Sequence, residues 1–131
     1  MTEAEGRHRV KLSPMRAAIA RRMVQSKQQA PHFYVTTEIE MDAILAASAE
    51  RNEGRLREER VTITAYLLRA LTLTLVEHPA FNAVWDGDSL VQVDAVNIGV
   101  AISLHDGLLA PALLGCGDRS VEDLALSLIH I

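Results

Sequence analysis

The first residue that could do chemistry is a histidine between two apolar runs. His105 stands next to Asp106 and Gly107 in the stretch VNIGVAISLHDGLLAPAL, residues 96–113. A histidine with a carboxylate beside it could act as a general base. The same three residues are also enough to reverse a chain between two strands, and Asp-Gly is a strong turn dipeptide. We therefore interpret His105 as a turn residue.

Two further side chains each have a chemical and a structural interpretation. Cys116 lies between Gly115 and Gly117, so it is either a nucleophile or a small residue in a tight loop, and we prefer the loop. His32 follows Pro31 and either contacts a substrate or makes a structural hydrogen bond, which we prefer. The sequence lacks paired histidines at helical spacing, a glycine-rich phosphate loop with a following lysine, and a nucleophile elbow. We predict no metal site.

Composition limits the possible partners. The 131 residues, 49% of them hydrophobic, suffice for one domain with a core. The formal net charge of -4 argues against general nucleic-acid binding, which needs a basic surface. The single cysteine and the absence of a signal-peptide or membrane-length apolar run predict a cytoplasmic protein that uses neither nucleic acid nor membrane.

Four helices are predicted from their capping residues and apolar spacing. Residues 1–10 are polar and charged and indicate a flexible arm or linker remnant. The first helix has Ser13 as N-cap and Pro14 as its first residue, carries an apolar stripe of Met15, Ile19 and Met23, and ends before Pro31. The caps of the others are Asp42 for the second helix, Thr62 or Thr64 for the third, and Ser120 with Asp123 for the fourth. The third stops at His78-Pro79, and its wide apolar surface predicts burial on most sides.

The strands are predicted from alternation and turn signals. Residues 33–41 alternate between two faces and indicate a strand. The turn residues at 86–88 predict a hairpin, and residues 96–104 and 108–114 predict two more strands, with Gly99 marking a bulge or a close backbone approach. Residues 49–60 are charged and predict an exposed loop. This irregular order of helices and strands favours an α+β fold.

Three stretches, taken in order, resemble the catalytic domain of the dihydrolipoamide acyltransferases, the E2 cores of 2-oxo acid dehydrogenase complexes. They are LSPMRAAIARRMVQSKQQAPHFYVTTEIEMDAIL, VTITAYLLRALTLTLVEHPAFNAVW and VNIGVAISLHDGLLAPAL. The specific pieces are Pro-Met-Arg in the first helix, Ala-Pro-His-Phe, Pro79-x-x-Asn82, and Asn-Ile-Gly-Val-Ala followed by Asp-Gly-Leu and a proline. The resemblance runs from Lys11 to about Ala125.

This resemblance implies a fold and an activity. The fold would be a chloramphenicol acetyltransferase-like mixed sheet with packed helices, truncated here, because residues 11–131 would form the N-terminal half of the domain. The activity would be transfer of an acyl group between dihydrolipoamide and coenzyme A, which is a substrate. The lipoyl group would be carried on a lipoyl domain outside this chain. The implied partners are two further copies in a homotrimer, a larger E2 core, and the E1 and E3 components.

The resemblance also implies which residues are missing. The family's base is a histidine in a His-x-x-x-Asp-Gly motif near the C-terminus, with a hydroxyl group before it that stabilises the oxyanion. This chain contains no such motif, and His105 falls in the family's hairpin turn. We therefore assign no catalytic residue and expect this chain alone to be inactive. The alternative is a non-catalytic scaffold or subunit-binding relative of the same fold.

Coenzyme A binding is the function that the resemblance leaves to this chain. The family's contacts are a hydroxyl residue opening the long helix, a polar residue ending the Asn-Ile-Gly strand, and an arginine on the second helix. The first two fall on Thr62, which could equally be only a helix cap, and on Ser103. The third falls near Ser48, which is not an arginine. Arg51 lies about one turn further on the same face and could replace it.

Overall fold

A computed structural model describes residues 8–30, 32–105 and 107–131. Residues 1–7 of the predicted arm, together with Pro31 and Asp106, lie outside the described residues. The helices are α1 (Pro14–Gln29), α2 (Asp42–Arg51), α3 (Ile63–Glu77) and α4 (Val121–Ile129), with short 3-10 turns at Arg57–Glu59 and Pro79–Phe81. The strands are β1 (Ala83–Asp86), β2 (Ser89–Gln92), β3 (Ile98–Gly99), β4 (Ile102–Leu104), β5 (Gly107–Leu109) and β6 (Ala112–Leu113).

Three predicted helix caps are confirmed. The side chain of Ser13 accepts a hydrogen bond from the N–H of Arg16, and Thr62 serves α3 in the same way. Ser120 and Asp123 form a reciprocal capping box on α4. Each bond satisfies an N–H group that has no partner within its helix.

The predicted cap of α2 is wrong. The helix begins at Asp42 itself, and the cap position is Met41, whose side chain makes no capping bond. Asp42 therefore lies in the first turn. A negative charge there interacts favourably with the N-terminal end of the helix dipole.

The predicted strand at residues 33–41 is also wrong. These residues form no strand, and the side chains of Phe33, Tyr34 and Val35 are at least 80% exposed. Alternation of apolar and polar residues gives a segment one apolar face, as in a strand. A strand forms only when a neighbouring backbone completes its hydrogen bonds. The described strands pair with one another and not with this segment.

The predicted hairpin around residues 86–88 is confirmed. Strands β1 and β2 pair antiparallel, with Asp86 opposite Ser89. Gly87 has a φ of +70°, a conformation that glycine adopts without a side-chain clash.

The strands predicted on either side of His105 form one antiparallel ribbon, residues 98–113. Strand β3 pairs with β6, and β4 pairs with β5. The ladder is interrupted where the N–H of Val100 donates to the carbonyl of Pro111, 3.0 Å away, because proline has no N–H to return the bond. The interpretation of Gly99 is wrong: it pairs in register with Ala112, and a Cβ there would meet no atom within 4 Å.

The core lies where α3, α4 and the base of the ribbon meet. Its main cluster is Leu68, Val96, Ile98, Leu113, Cys116 and Leu124, and a smaller one of Val61, Ala65 and Ala125 lies beside it. Helix α1 contributes no buried residue. The expectation that α3 is buried on most sides is wrong for this chain: its buried residues are Ala65, Leu68 and Thr72, while Leu67 and Leu71 are each 45% exposed.

Candidate ligand-binding site at the junction of helices α2 and α3

The end of α2 is fastened to the start of α3 by one asparagine. The amide nitrogen of Asn52 donates to the carbonyl of Val61 (2.9 Å), and the N–H of Val61 donates back to Asn52 Oδ1 (2.8 Å). Ser48 adds a third bond to the same carbonyl (3.3 Å). Val61 is 1% exposed, so its backbone groups depend on these side chains instead of water. We call this pairing the Asn52–Val61 clasp.

Thr62 follows the clasp directly and opens α3. Its Oγ1 accepts the N–H of Ala65 (3.4 Å), and the residue is exposed. A hydroxyl group accepts and donates at the same time, so the cap leaves the hydroxyl hydrogen available to a ligand. The helix-cap interpretation and the ligand interpretation are therefore compatible.

Arg51 lies at the same junction but already has a partner. Its Nη1 donates to Oε1 of Glu122 on α4, forming an ion pair. Its guanidinium group also lies 5.9 Å from the centre of the Tyr66 ring, within the range of a cation–π contact. Arg51 thus connects α2 with α3 and α4, and its charge is offset by a carboxylate.

Ser103 lies on the ribbon instead of the junction. It is exposed and stands opposite Leu108 in the β4–β5 pair. The structure therefore brings Arg51 and Thr62 to one junction and leaves Ser103 on a separate element.

A cleft of about 390 Å³ opens at this junction. It is lined by Leu45, Ser48, Ala49, Asn52, Arg60 and Ile63. The sequence did not predict that Asn52 and Arg60 line a cleft, because both fall in the charged stretch, residues 49–60, that was expected to form an exposed loop. One signal could have identified Asn52: it directly follows the last helical residue, and asparagine often ends helices.

The three residues first considered for chemistry have structural roles. His105 lies in the turn between β4 and β5 and is exposed, as predicted. Cys116 has no exposed surface, and its thiol donates to the carbonyl of Leu113 (3.3 Å), so the loop interpretation is confirmed. His32 Nδ1 lies 2.8 Å from the carbonyl of Ala30, and its Nε2 lies 2.8 Å from Lys27 Nζ.

Local electrostatics single out one titratable group. The hydrogen bond from the Ser120 hydroxyl, followed by that from the Ser120 N–H, lowers the pKa of Asp123 below its ordinary value. This carboxylate caps α4 and lies outside the cleft. Among the described residues, no three His, Cys, Asp or Glu side chains are grouped to hold a metal ion, and no described helix is long and apolar enough to cross a membrane.

The chain is similar to proteins of known family. The sequence profile of the 2-oxoacid dehydrogenases acyltransferase (catalytic domain) matches residues 4–130. The chain is 36% identical over 120 residues to the dihydrolipoyllysine-residue acetyltransferase component of the pyruvate dehydrogenase complex of Zymomonas mobilis. It is 34% identical, also over 120 residues, to the component of the same name in Rhizobium meliloti. The alignments cover 91% and 88% of this chain, but 27% and 26% of those relatives.

Two solved structures have the same fold. A probable dihydrolipoamide acetyltransferase from Listeria monocytogenes superimposes with a TM-score of 0.82 and 25% identity, covering 97% of this chain and 55% of that one. The dihydrolipoamide acetyltransferase of Azotobacter vinelandii superimposes with a TM-score of 0.85 and 21% identity, covering 99% of this chain and 57% of that one. The predicted α+β fold is confirmed, and the chain spans just over half the length of these two structures.

Proposed function

Because the chain belongs to the acyltransferase catalytic-domain family of the 2-oxoacid dehydrogenases, we propose that it forms part of an enzyme that moves an acyl group between dihydrolipoamide and coenzyme A. The observation that carries this proposal is the match to the family profile over residues 4–130. In domain terms, residues 11–131 are the N-terminal half of the catalytic domain, and residues 1–10 are a linker remnant.

The contribution of this chain is to hold coenzyme A. Thr62 offers its hydroxyl hydrogen while its oxygen caps α3, and Ser103 offers an exposed hydroxyl from β4. Arg51 binds a phosphate only by releasing Glu122. That exchange is chemically reasonable, since a guanidinium group forms charge-assisted bonds with carboxylate and phosphate alike.

The chemical step needs a base and an oxyanion donor, and we assign neither role to a residue of this chain. In acyl transfer the thiol sulfur attacks the thioester carbonyl while a base takes the thiol proton, and a hydrogen-bond donor stabilises the oxyanion. His105 lies in a hairpin turn, and the sequence contains no His-x-x-x-Asp-Gly. We therefore place both groups outside these 131 residues.

The proposed partners follow from the same family. They are a lipoyl domain carrying the lipoyl group, two further copies in a homotrimer, a larger core, and the E1 and E3 components. The names of the relatives support this proposal, since they are components of pyruvate dehydrogenase complexes. One structural neighbour is the cubic core of such a complex. We also propose a cytoplasmic location, with neither nucleic acid nor membrane as a partner.

A second candidate function is a scaffold that binds other subunits without catalysis. It is supported by one relative, 28% identical over 113 residues, that is named the protein X component of mouse mitochondrial pyruvate dehydrogenase instead of an acetyltransferase. The two candidates differ in whether coenzyme A binds. A His-x-x-x-Asp-Gly motif in the same reading frame beyond this chain would favour the enzyme.

Calorimetric titration of the chain with coenzyme A tests the leading proposal. We expect binding that Thr62→Ser preserves, because it keeps the hydroxyl group. Thr62→Asn should weaken binding while still capping α3, since asparagine is a good N-cap. Absence of binding by the unchanged, folded chain would favour the scaffold.

A further inference from the structure

The cleft at the α2–α3 junction combines apolar and neutral polar walls with a single basic residue. Leu45, Ala49 and Ile63 supply apolar wall, and Ser48 and Asn52 supply polar wall. Arg60 is the one charged residue in this lining. The cleft therefore holds a positive charge and no carboxylate.

Two nearby acidic residues line a different cleft. Glu59 and Glu122 lie in a space of about 270 Å³ beside α4, together with Arg55. Neither of these two glutamates lines the cleft of Arg60, and the carboxylate of Glu122 is already paired with Arg51. Arg60 is exposed, so an anion can reach its charge directly from solvent.

Arg60 is also free to bind, in contrast to other arginines around it. Arg51 is paired with Glu122. Arg55 and Arg69 donate to the backbone carbonyls of Glu59 and Gly117, and Arg119 donates to the hydroxyl of Ser127. Within the described part of the chain, the Arg60 side chain has no hydrogen bond or ion pair. A ligand would not have to displace an existing partner.

The backbone beside Arg60 is held in place before any ligand arrives. Val61, the next residue, has both of its polar backbone groups bonded by Asn52. The position of the Arg60 side chain at the cleft is thus fixed at its base and free at its tip. The fixed backbone removes part of the ordering cost of binding, and the ligand must still order the arginine side chain.

We infer that Arg60 binds a phosphate group of coenzyme A at this cleft. The inference rests on the proposed function and changes which arginine has that role, because Arg51 is committed to α4. The planar guanidinium group of Arg60 can form two parallel hydrogen bonds with phosphate. Thr62, two positions along the chain, places its hydroxyl at the same junction.

The test compares Arg60→Ala with Arg57→Ala, a nearby arginine that lies outside the cleft lining. Calorimetric titrations use coenzyme A, inorganic pyrophosphate, and pantetheine, which has no phosphate. We expect Arg60→Ala to weaken coenzyme A binding about tenfold, which corresponds to about 1.4 kcal/mol, and to weaken pyrophosphate binding as well. Arg57→Ala should leave both unchanged, and Arg60→Lys should be intermediate. Pantetheine should bind all variants equally.

The outcomes separate this inference from the proposed function. Coenzyme A binding that is equal in Arg60→Ala and Arg57→Ala would overturn the role of Arg60 while leaving the function in place. Failure of the unchanged chain to bind coenzyme A would overturn both. Equal loss of pantetheine binding in Arg60→Ala would also overturn the inference, because it would indicate a deformed cleft instead of a lost phosphate contact. Circular dichroism melts confirm that each variant is folded.

Discussion

At the scale of single residues, Asn52 is expected to stabilise the fold through its bonds to Val61. Replacing it with alanine leaves the N–H and the carbonyl of buried Val61 without their Asn52 partners. We expect Asn52→Ala to lower the free energy of unfolding by about 1–3 kcal/mol, the usual cost of unsatisfied buried polar groups. Urea denaturation measures this change. Glu53→Ala, at the exposed next position, is the control, and equal stabilities of the two variants would contradict the role of the clasp.

Replacing His105 is expected to have no effect on acyl transfer. We predict that the chain does not transfer acetyl groups between acetyl-coenzyme A and dihydrolipoamide, because general-base assistance is worth about two to four orders of magnitude and His105 lies in a turn. Any trace rate should be the same in His105→Asn and in the control His78→Asn. A rate that falls only in His105→Asn, in a continuous thiol assay, would show that the turn residue is the base after all.

Asp123 predicts a pH effect whose sign follows from its hydrogen bonds. The Ser120 hydroxyl and then the Ser120 N–H favour the carboxylate and lower its pKa in the folded chain. The stabilisation is therefore complete above the unfolded pKa of about 3.9 and is lost as the pH falls through the lower folded pKa. A carbon-detected NMR titration should give a midpoint below the ordinary value. Ser120→Ala should raise that midpoint, and no difference between the two would contradict the capping box.

The candidate site could be predicted only where its contacts are local in sequence. Thr62 could be predicted as a cap because a cap bonds an N–H three positions away, and its role toward coenzyme A is implied by the family resemblance. Arg51 is implied by the family resemblance, which expects an arginine on the second helix, but its partner Glu122 is 71 positions away, beyond what residue spacing can indicate. The role of Arg60 could not be predicted, because charged residues in a loop are usually solvated and its cleft exists only once α2 and α3 have packed.

At the scale of elements, Gly107 connects the ribbon with α1. It is not among the glycines with positive φ, so its constraint comes from space: a Cβ there would overlap Sδ of Met15. We expect Gly107→Ala to lower the free energy of unfolding by about 1 kcal/mol, the low end of overpacking costs, because a methionine side chain can move. Thermal melts of Gly107→Ala, alone and with Met15→Ala, measure the coupling.

The control for that prediction is Gly99→Ala, also in the ribbon, where an added Cβ meets no atom within 4 Å. It should change stability less than Gly107→Ala does. If the added Cβ overlaps Met15, Gly107→Ala should lower the free energy of unfolding less in the Met15→Ala background than in the unchanged chain. A loss of the same size in both backgrounds would place the strain elsewhere.

Helices were predicted more accurately than strands for a physical reason. Ser13, Thr62 and Ser120 each satisfy helix N–H groups within three residues, so the deciding interactions lie inside the stretch being read. The hairpin at Gly87 is equally local. Residues 33–41 have the right alternation, but their hydrogen-bond partners would have to come from elsewhere in the fold, and the described strands do not supply them.

At the scale of the whole molecule, exposed apolar side chains predict self-association. Leu67 and Leu71 lie one turn apart on α3, and each is 45% exposed. Contiguous apolar surface of this kind usually marks an interface. We expect the chain to elute above its monomer mass and to bind hydrophobic dyes, and the double variant Leu67→Lys, Leu71→Lys should reduce both effects. Size-exclusion chromatography with light scattering measures the mass.

The matched control is Ala70→Lys, a smaller exposed residue on the same helix. It adds the same kind of charge without removing a large apolar side chain. A sharp monomer peak with a cooperative melt for the unchanged chain would contradict the prediction, since it would show that the exposed leucines need no cover.

The burial pattern also divides the chain into parts that should open independently. In the described part of the chain, the nine buried hydrophobic residues lie between Val61 and Ala125, while α1 buries none of its 16 residues. A lone helix of that length is marginal in water, so α1 can fray while α3 and α4 stay packed. Amide hydrogens of α1 should then exchange with solvent long before those around Leu68 and Leu124, whose exchange requires the core itself to open. The N-terminal helix can thus exchange its contact between Met15 and Gly107 for another surface without opening the core.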